Sequence, residues 1–155
     1  MRAPREIAAT PLWQRFLVYG ALGWVVEVVF TGVGSVLAHD WNLTGQTYLW
    51  MFPIYAGAAL GMEQIHDRLR RRHWLWRGFA YTGFVFAVEY ASGGALVALL
   101  GSCPWEYPAH SPHISGLIRL DFAPAWMALG LVFEQAHDWL LPLSTNQNSF
   151  RRRVG

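Results

Sequence analysis

Lysine is absent from this sequence, cysteine occurs once, and charges of either sign are few. Only 14% of the residues are charged and 54% are hydrophobic, whereas roughly 25% are charged in ordinary soluble domains. The single Cys103 excludes an internal disulfide. A GxxxxGK[ST] run is also missing, as is a Ser-His-Asp pattern, so the residues predict no ATPase site and no hydrolase triad within the chain. The 155 residues suffice for one domain, 1–155.

The chain contains several long apolar segments with few charged residues. Four of them occur, at about 12–37, 51–69, 74–100 and 122–141. Each is near the ~20 residues that a helix needs to cross a ~30 Å hydrocarbon core, and helices are the only spanning structure that so few segments can form. The first segment is longer than the apolar core of a signal peptide, so we expect it to be retained. The sequence therefore predicts an all-α integral membrane protein, a four-helix bundle.

The arginines predict the orientation of this bundle. Eleven of the twelve flank the segments on one face, and only Arg119 lies on the other. Because cytoplasmic loops carry an excess of positive charge, we expect both termini inside the cytoplasm and a multi-pass protein in the inner membrane. The juxtamembrane position of these arginines indicates the lipid bilayer, not nucleic acid, as their partner.

A repeated heptapeptide indicates internal duplication. "EQIHDRL" at 63–69 returns as "EQAHDWL" at 134–140, and a shift of 71 aligns 43–69 with 114–140. A shift of 62 aligns the first and third segments, so the second unit has nine additional residues in its outer loop. We predict two tandem helical hairpins, at about 12–69 and 74–141, followed by a short Arg-rich cytoplasmic tail at 145–155. Repeats of equal orientation pack around an axis along the membrane normal.

Two prolines allow alternative starts for the second and fourth helices. Pro53 and Pro124 suit the first helical turn, where a missing N–H is harmless. The segments before them either fold back over the outer mouth or, in the alternative, belong to a helix that starts near Gln46 and kinks at the proline.

Ionisable residues within the apolar segments are the candidate site. Their cost in a membrane makes each one a functional candidate. Segments one and three give one Glu each, and segments two and four give Glu-x-x-His each, which is the ligand plan of di-iron and di-manganese bundles. The predicted metal ligands are Glu27, Glu63, His66, Glu89, Glu134 and His137. Asp67 and Asp138 would orient the histidines, and two Fe or Mn ions would support redox chemistry on a lipophilic substrate.

Two other interpretations of these residues stay open. Glu27 and Glu89 could face each other across the axis and handle protons or cations. All of the polar residues could instead form a structural network in a membrane subunit. Glu63 lies five residues before Arg68, which would place Glu63 near the lipid headgroups. A metal site requires all four glutamates to lie at a common depth in the membrane.

The sequence resembles a bacterial membrane family. The stretches "YGALGWVVE" (19–27), "GQTYLWMFPIYAGA" (45–58), "EYASG" (89–93), "PWEY" (104–107) and "SGLIRLDFAPAW" (115–126) resemble the family described as putative ABC-transporter type IV. The resemblance spans roughly 16–130, and Glu63, His66, Glu134 and His137 are not part of its pattern. It implies an integral membrane, permease-like transport component whose ATPase, or whose partner membrane subunit, is a separate chain.

Overall fold

Four α-helices make up most of the protein. The computed structural model describes the backbone of residues 11–107, 109 and 111–154, with side chains up to Trp139 in the last helix. The helices are α1 (Leu12–Leu37), α2 (Met51–Leu69), α3 (Trp74–Leu100) and α4 (Ala123–Val154). A two-stranded hairpin, β1 (His113–Ile114) and β2 (Ile118–Arg119), and a 3-10 turn at Leu120–Phe122 lie between α3 and α4. The first three helices coincide with the predicted apolar segments. α4 continues through Val154, into the segment 145–155 that the sequence predicts as a cytoplasmic tail.

The helices pack mainly as two sequential pairs. α1 lies against α2 and α3 lies against α4, while α2 also contacts both α3 and α4. Glycines permit the close approach within each pair. A Cβ at Gly23 of α1 would lie 2.5 Å from Tyr55 of α2, and one at Gly130 of α4 would lie 2.5 Å from Tyr81 of α3. Small residues at such contacts are typical of helices that associate in membranes.

Two of the helices have the length and composition of membrane spans. Within the described ranges these are α1 and α3, with mean hydropathies of 1.8 and 1.7, and only 11% of each apolar window is buried. Apolar side chains on α1 and α3 therefore face outward, as they would toward lipid. α2 and α4, which the sequence predicts as further spans, are less apolar and are not identified as spans within the described residues. The reason is their charged residues, such as Glu63, Asp67 and Arg68 near the end of α2.

The segment before α2 folds back along α1. Three α1 side chains hydrogen-bond to its backbone: Ser35 Oγ donates to Thr44 O (2.7 Å), Thr31 Oγ1 accepts from Gln46 N (2.8 Å), and Trp24 Nε1 donates to Tyr48 O (3.0 Å). α2 then begins at Met51, so a proline kink in a longer helix is not formed. Pro53 and Pro124 both lie in first helical turns, which is the first of the two arrangements that the sequence leaves open.

The hairpin before α4 is an element that the sequence analysis does not predict. Ser115 and Gly116 have φ angles of 53° and 70°, and Leu117 N donates to Ile114 O at 3.0 Å. Positive φ at both central residues is the pattern of a type I′ turn, which matches the twist of two antiparallel strands. The hairpin buries Ile118 and places Leu117 against Gly93 of α3.

Candidate functional site

Glu63 on α2 is held by two residues of α1. Arg15 NH1 donates to Glu63 Oε2 at 2.5 Å, and the Tyr19 hydroxyl donates to Glu63 Oε1 at 2.5 Å. One helical turn separates Arg15 from Tyr19, so both side chains project from the same face of α1. Each oxygen of this buried carboxylate therefore has its own donor.

Glu134 on α4 has the same two partners from α3. Arg77 NH2 lies 3.1 Å from Glu134 Oε2, and the Tyr81 hydroxyl donates to Glu134 Oε1 at 2.8 Å. The sequence repeat aligns Arg15 with Arg77, and Tyr19 with Tyr81. Repeat-aligned positions of the two halves thus make the same contacts.

The two histidines join the halves. His137 of α4 reaches the first carboxylate: its Nδ1 lies 2.8 Å from Tyr19 Oη and 3.4 Å from Glu63 Oε1. His66 of α2 reaches the second, with Nδ1 3.6 Å from Glu134 Oε1. The two imidazole rings meet edge to face, with centroids 5.6 Å apart. In each Glu-x-x-His, the Glu therefore contacts residues of its own half, and the His contacts the carboxylate of the other half.

These eight residues form what we term the ion-pair cluster: Arg15, Tyr19, Glu63, His66, Arg77, Tyr81, Glu134 and His137. Its carboxylates and imidazoles are almost inaccessible, with 6% exposure or less. Burying a charge is costly unless a partner and hydrogen bonds compensate for it. Here each Glu carboxylate is neutralised by one guanidinium and capped by one phenol, so the two carboxylates of the cluster are satisfied by protein groups alone.

The other two glutamates lie elsewhere, in a region that we term the carboxyl pair, Glu27 and Glu89. Thr47, in the segment that folds back along α1, donates a short hydrogen bond to Glu27 Oε2. Tyr55 of α2 interacts electrostatically with both carboxyls, and more strongly with Glu27. Glu27 lies eight residues beyond Tyr19 on α1, about 12 Å along the helix axis at 1.5 Å per residue.

Glu89 has poorer hydrogen bonding than Glu27. The Trp126 indole faces its carboxyl, yet within the described residues neither Trp126 Nε1 nor Glu89 Oε2 has a hydrogen bond of acceptable geometry, and both atoms are buried. The repeat aligns Glu27 with Glu89, Tyr55 with Trp126, and Thr47 with Ile118. The sequence position that supplies the hydroxyl donor of Glu27 is therefore occupied by an apolar residue in the second half.

Tyr107 interacts with both members of the carboxyl pair. Burial raises the pKa of Tyr107 well above its ordinary value, and the negative charges of Glu89 and Glu27 raise the pKa further. The phenol therefore keeps its proton at any physiological pH. The outer loop thus brings the Tyr107 phenol close enough to interact electrostatically with both carboxyls.

The structure divides the six predicted metal ligands between two places. Glu63, His66, Glu134 and His137 lie in the ion-pair cluster, whereas Glu27 and Glu89 lie in the carboxyl pair. In the described part of the chain, no group of three or more His, Cys, Asp or Glu residues is arranged to hold a metal ion. The predicted two-metal site therefore has no support in the structure, because basic and phenolic groups occupy the oxygens that a metal would need.

The two aspartates predicted to orient the histidines differ from each other. Asp138 Oδ1 lies 3.3 Å from Nε2 of His66, the histidine of the opposite half. Asp67 makes no such contact and is exposed, at the edge of a cavity that also borders His137.

Sequence reasoning missed the residues that complete both places. Arg15 and Tyr19 match Arg77 and Tyr81 in the repeat alignment. This match is the sequence signal from which their pairing with the glutamates could have been predicted. The sequence analysis used Arg15 and Arg77 only as indicators of membrane orientation. Their role as partners of the glutamates was therefore not predicted. The donor Thr47 gives no comparable signal, because its repeat-aligned residue is Ile118.

Comparison with known proteins confirms the family resemblance. No solved structure matches the chain. A family profile matches residues 14–151, which include α2, α3 and all but the ends of α1 and α4. The match therefore covers both the ion-pair cluster and the carboxyl pair, and the two apolar helices agree with a membrane protein. The chain belongs to the family described as putative ABC-transporter type IV.

Proposed function

We propose that this protein is a permease-like membrane component of a transport system, in which Glu89 and Glu27 exchange protons or cations. Family membership and the two outward-facing apolar helices support a membrane location. The proposal includes four crossing helices in two tandem hairpins, with both termini cytoplasmic in the inner membrane, as the arginine distribution predicts. ATP hydrolysis would belong to a separate chain, since this one has no phosphate-binding loop.

The observation that carries the proposal is the unpartnered, buried Oε2 atom of Glu89. A carboxylate inside an apolar helix costs several kcal/mol when it is charged and unpaired. Glu89 therefore lowers its free energy by taking up a proton or a cation. Glu27 already has Thr47 as a donor, so the two carboxyls differ in their hydrogen bonding. A pair of acids in unequal surroundings can pass a proton or cation from one member to the other.

The ion-pair cluster has a different part in this proposal. Its carboxylates are saturated by Arg15, Tyr19, Arg77 and Tyr81, which leaves no free oxygen for exchange. The cross-contacts of His66 and His137 connect the two halves. We assign the ion-pair cluster a structural role: it holds the four helices together at the end where α2 is connected to α3.

Infrared difference spectroscopy on detergent-solubilised protein tests the proposal without any partner chain. We expect a protonated carboxyl C=O band that changes with pH or with added Na⁺ or K⁺, and that disappears in Glu89→Gln. Glu106→Gln is the matched control, because it makes the same chemical change at an exposed loop residue. A band that persists in Glu89→Gln, or no titrating carboxyl band, would contradict the exchange role and leave a structural membrane subunit as the function.

A further inference from the structure

An uncharged stretch of the chain begins well before α2. No charged residue occurs from Trp41 to Met62, a run of 22 residues, which is about as many as the ~20 of a membrane crossing. Only the part from Met51 onward is helical. Residues 41–50, which we term the outer segment, are therefore a non-helical extension of the same uncharged stretch.

The contacts of the outer segment with α1 define its depth. α1 has 26 residues, about 39 Å at 1.5 Å per residue, so a ~30 Å hydrocarbon core centred on α1 ends about 4 Å before Leu37. Thr31 lies six residues before Leu37 and Glu27 lies ten before it, about 9 and 15 Å along the axis. Gln46 is hydrogen-bonded to Thr31, and Thr47 to Glu27. The middle of the outer segment thus lies about 5 to 11 Å inside the core.

Side chains of α1 bind the backbone of the outer segment at this depth. Ser35 Oγ donates to Thr44 O at 2.7 Å, and Thr31 Oγ1 accepts from Gln46 N at 2.8 Å. Gly45 permits this approach, because a Cβ there would lie 2.5 Å from a backbone carbonyl oxygen of α1. Irregular backbone is tolerated at membrane depth only where such groups satisfy its polar atoms. The hydrogen-bonded side of the outer segment therefore faces α1.

Apolar side chains of the outer segment have little protein cover. Leu43 is 59% exposed, Leu49 is 80% exposed and Trp50 is 50% exposed. Trp41, at the end of the segment that lies nearest to the end of α1, is 76% exposed, and Trp is typical of the headgroup level. Val29, on the outward face of α1, is exposed to a similar degree at 59%. At this depth the medium around such side chains is hydrocarbon.

We propose that the outer segment is a lipid-contacting surface inside the bilayer, with Leu43, Leu49 and Trp50 against the acyl chains of phospholipids. α2 then completes the second crossing on the side of the α2–α3 connection. Lipid suits this surface better than a partner helix, because the exposed side chains are large and helix contacts in membranes are enriched in small residues. The inference rests on the membrane location in the proposed function, but not on the exchange at Glu89.

Spin labels on single cysteines test the inference in protein reconstituted into phosphatidylcholine vesicles. The background is Cys103→Ser, which removes the one native thiol. Labels are attached to Leu49→Cys, to Val29→Cys on the outward face of α1, and to Ala38→Cys at the end of α1. Accessibility to oxygen, which concentrates in hydrocarbon, is compared with accessibility to a water-soluble nickel chelate. We expect the label at position 49 to lie as deep as the label at 29 and deeper than the label at 38.

Leu43→Cys gives an independent probe of the same segment. Leu43 O lies near Gly32 of α1, closer to the helix end than Glu27, so its label should lie between those at 38 and 49 in depth. Preferential access of the nickel chelate at positions 43 and 49, or exclusion of both reagents by a covering protein chain, would overturn the inference. Nickel access at position 29 would contradict the membrane location itself, and this inference with it. A negative infrared result at Glu89 would contradict only the exchange role.

A matched pair of variants tests the hydrogen bond that holds the outer segment on α1. Thr31→Val removes the hydroxyl that accepts from Gln46 N. An unbonded N–H is costly in hydrocarbon, so the label at position 49 should shift toward water. Thr31→Ser keeps the hydroxyl and should leave the label at its original depth. Equal depths in the two variants would overturn the assignment of Thr31 as the anchor of the segment within the membrane.

Discussion

The ion-pair cluster and the carboxyl pair place the same residue type in two different electrostatic environments. Glu63 and Glu134 each receive one guanidinium and one phenol, whereas Glu89 has a buried oxygen without a donor. A paired carboxylate gains nothing by changing its protonation state, while an unpaired one in an apolar region does. In the proposed function, the neighbouring donors, more than the carboxylate itself, determine whether a membrane glutamate holds helices together or exchanges ions.

A second difference lies within the carboxyl pair. The sequence repeat aligns Glu27 with Glu89, yet it aligns Thr47 and Tyr55 with Ile118 and Trp126. Two hydroxyl groups are thereby replaced by an isoleucine and an indole. Duplication gives both halves the same acid, and substitution around it makes the two acids chemically unequal.

The largest effect is expected from breaking one ion pair of the cluster. Glu134→Ala leaves the Arg77 guanidinium and the Tyr81 hydroxyl without their acceptor, and removing one partner of a buried pair costs about 3–5 kcal/mol of unfolding free energy. Thermal unfolding in detergent should show a strongly lowered Tm.

The double variant Arg77→Met with Glu134→Leu is the control for that measurement. It removes both charges, and apolar replacement of a whole buried pair is often neutral or stabilising. A double variant as unstable as Glu134→Ala would contradict the idea that the unpaired charge is the cause.

A smaller effect should make Glu27 resemble Glu89. Thr47→Val keeps the shape of the side chain but removes the hydroxyl that donates to Glu27 Oε2. The loss of a hydrogen bond to a charged group costs about 1.5–3 kcal/mol, and Glu27 should then take up a proton more readily. Infrared spectra should gain a second protonated carboxyl band that is absent from Thr47→Ser, which keeps the donor. Identical spectra for the two variants would show that Thr47 does not set the difference between the acids.

The smallest effect is expected from metal removal. The carboxylate oxygens of the ion-pair cluster already have protein donors, so treatment with a chelator should leave the Tm unchanged. Elemental analysis of the purified protein should find no Fe or Mn at a fixed ratio to the chain. Stoichiometric metal, lost together with stability on chelation, would revive the hypothesis of a di-iron or di-manganese site.

Much of the fold could be predicted from the sequence, and the candidate site only in part. The apolar segments predicted the bounds of α1, α2 and α3, and the first-turn positions of Pro53 and Pro124 were one of the two arrangements that the sequence left open. The glutamates and histidines of the site were identified because charge is rare in such segments. Their grouping into one metal site has no support in the structure. A shared helix face fixes which residues are neighbours along one helix, but not the height at which they meet another helix.

The sequence by itself determined that this chain is helical, apolar on the outside of at least two helices, and rich in ionisable residues at repeated positions. Those properties depend on residue type and local spacing, which the order of amino acids fixes directly. Only the tertiary structure decided that Arg15 and Arg77 neutralise Glu63 and Glu134, that the histidines cross between halves, and that Glu89 keeps a free oxygen. These outcomes depend on the packing of residues far apart in the chain, where shifts of a few ångströms decide whether a donor reaches a carboxylate.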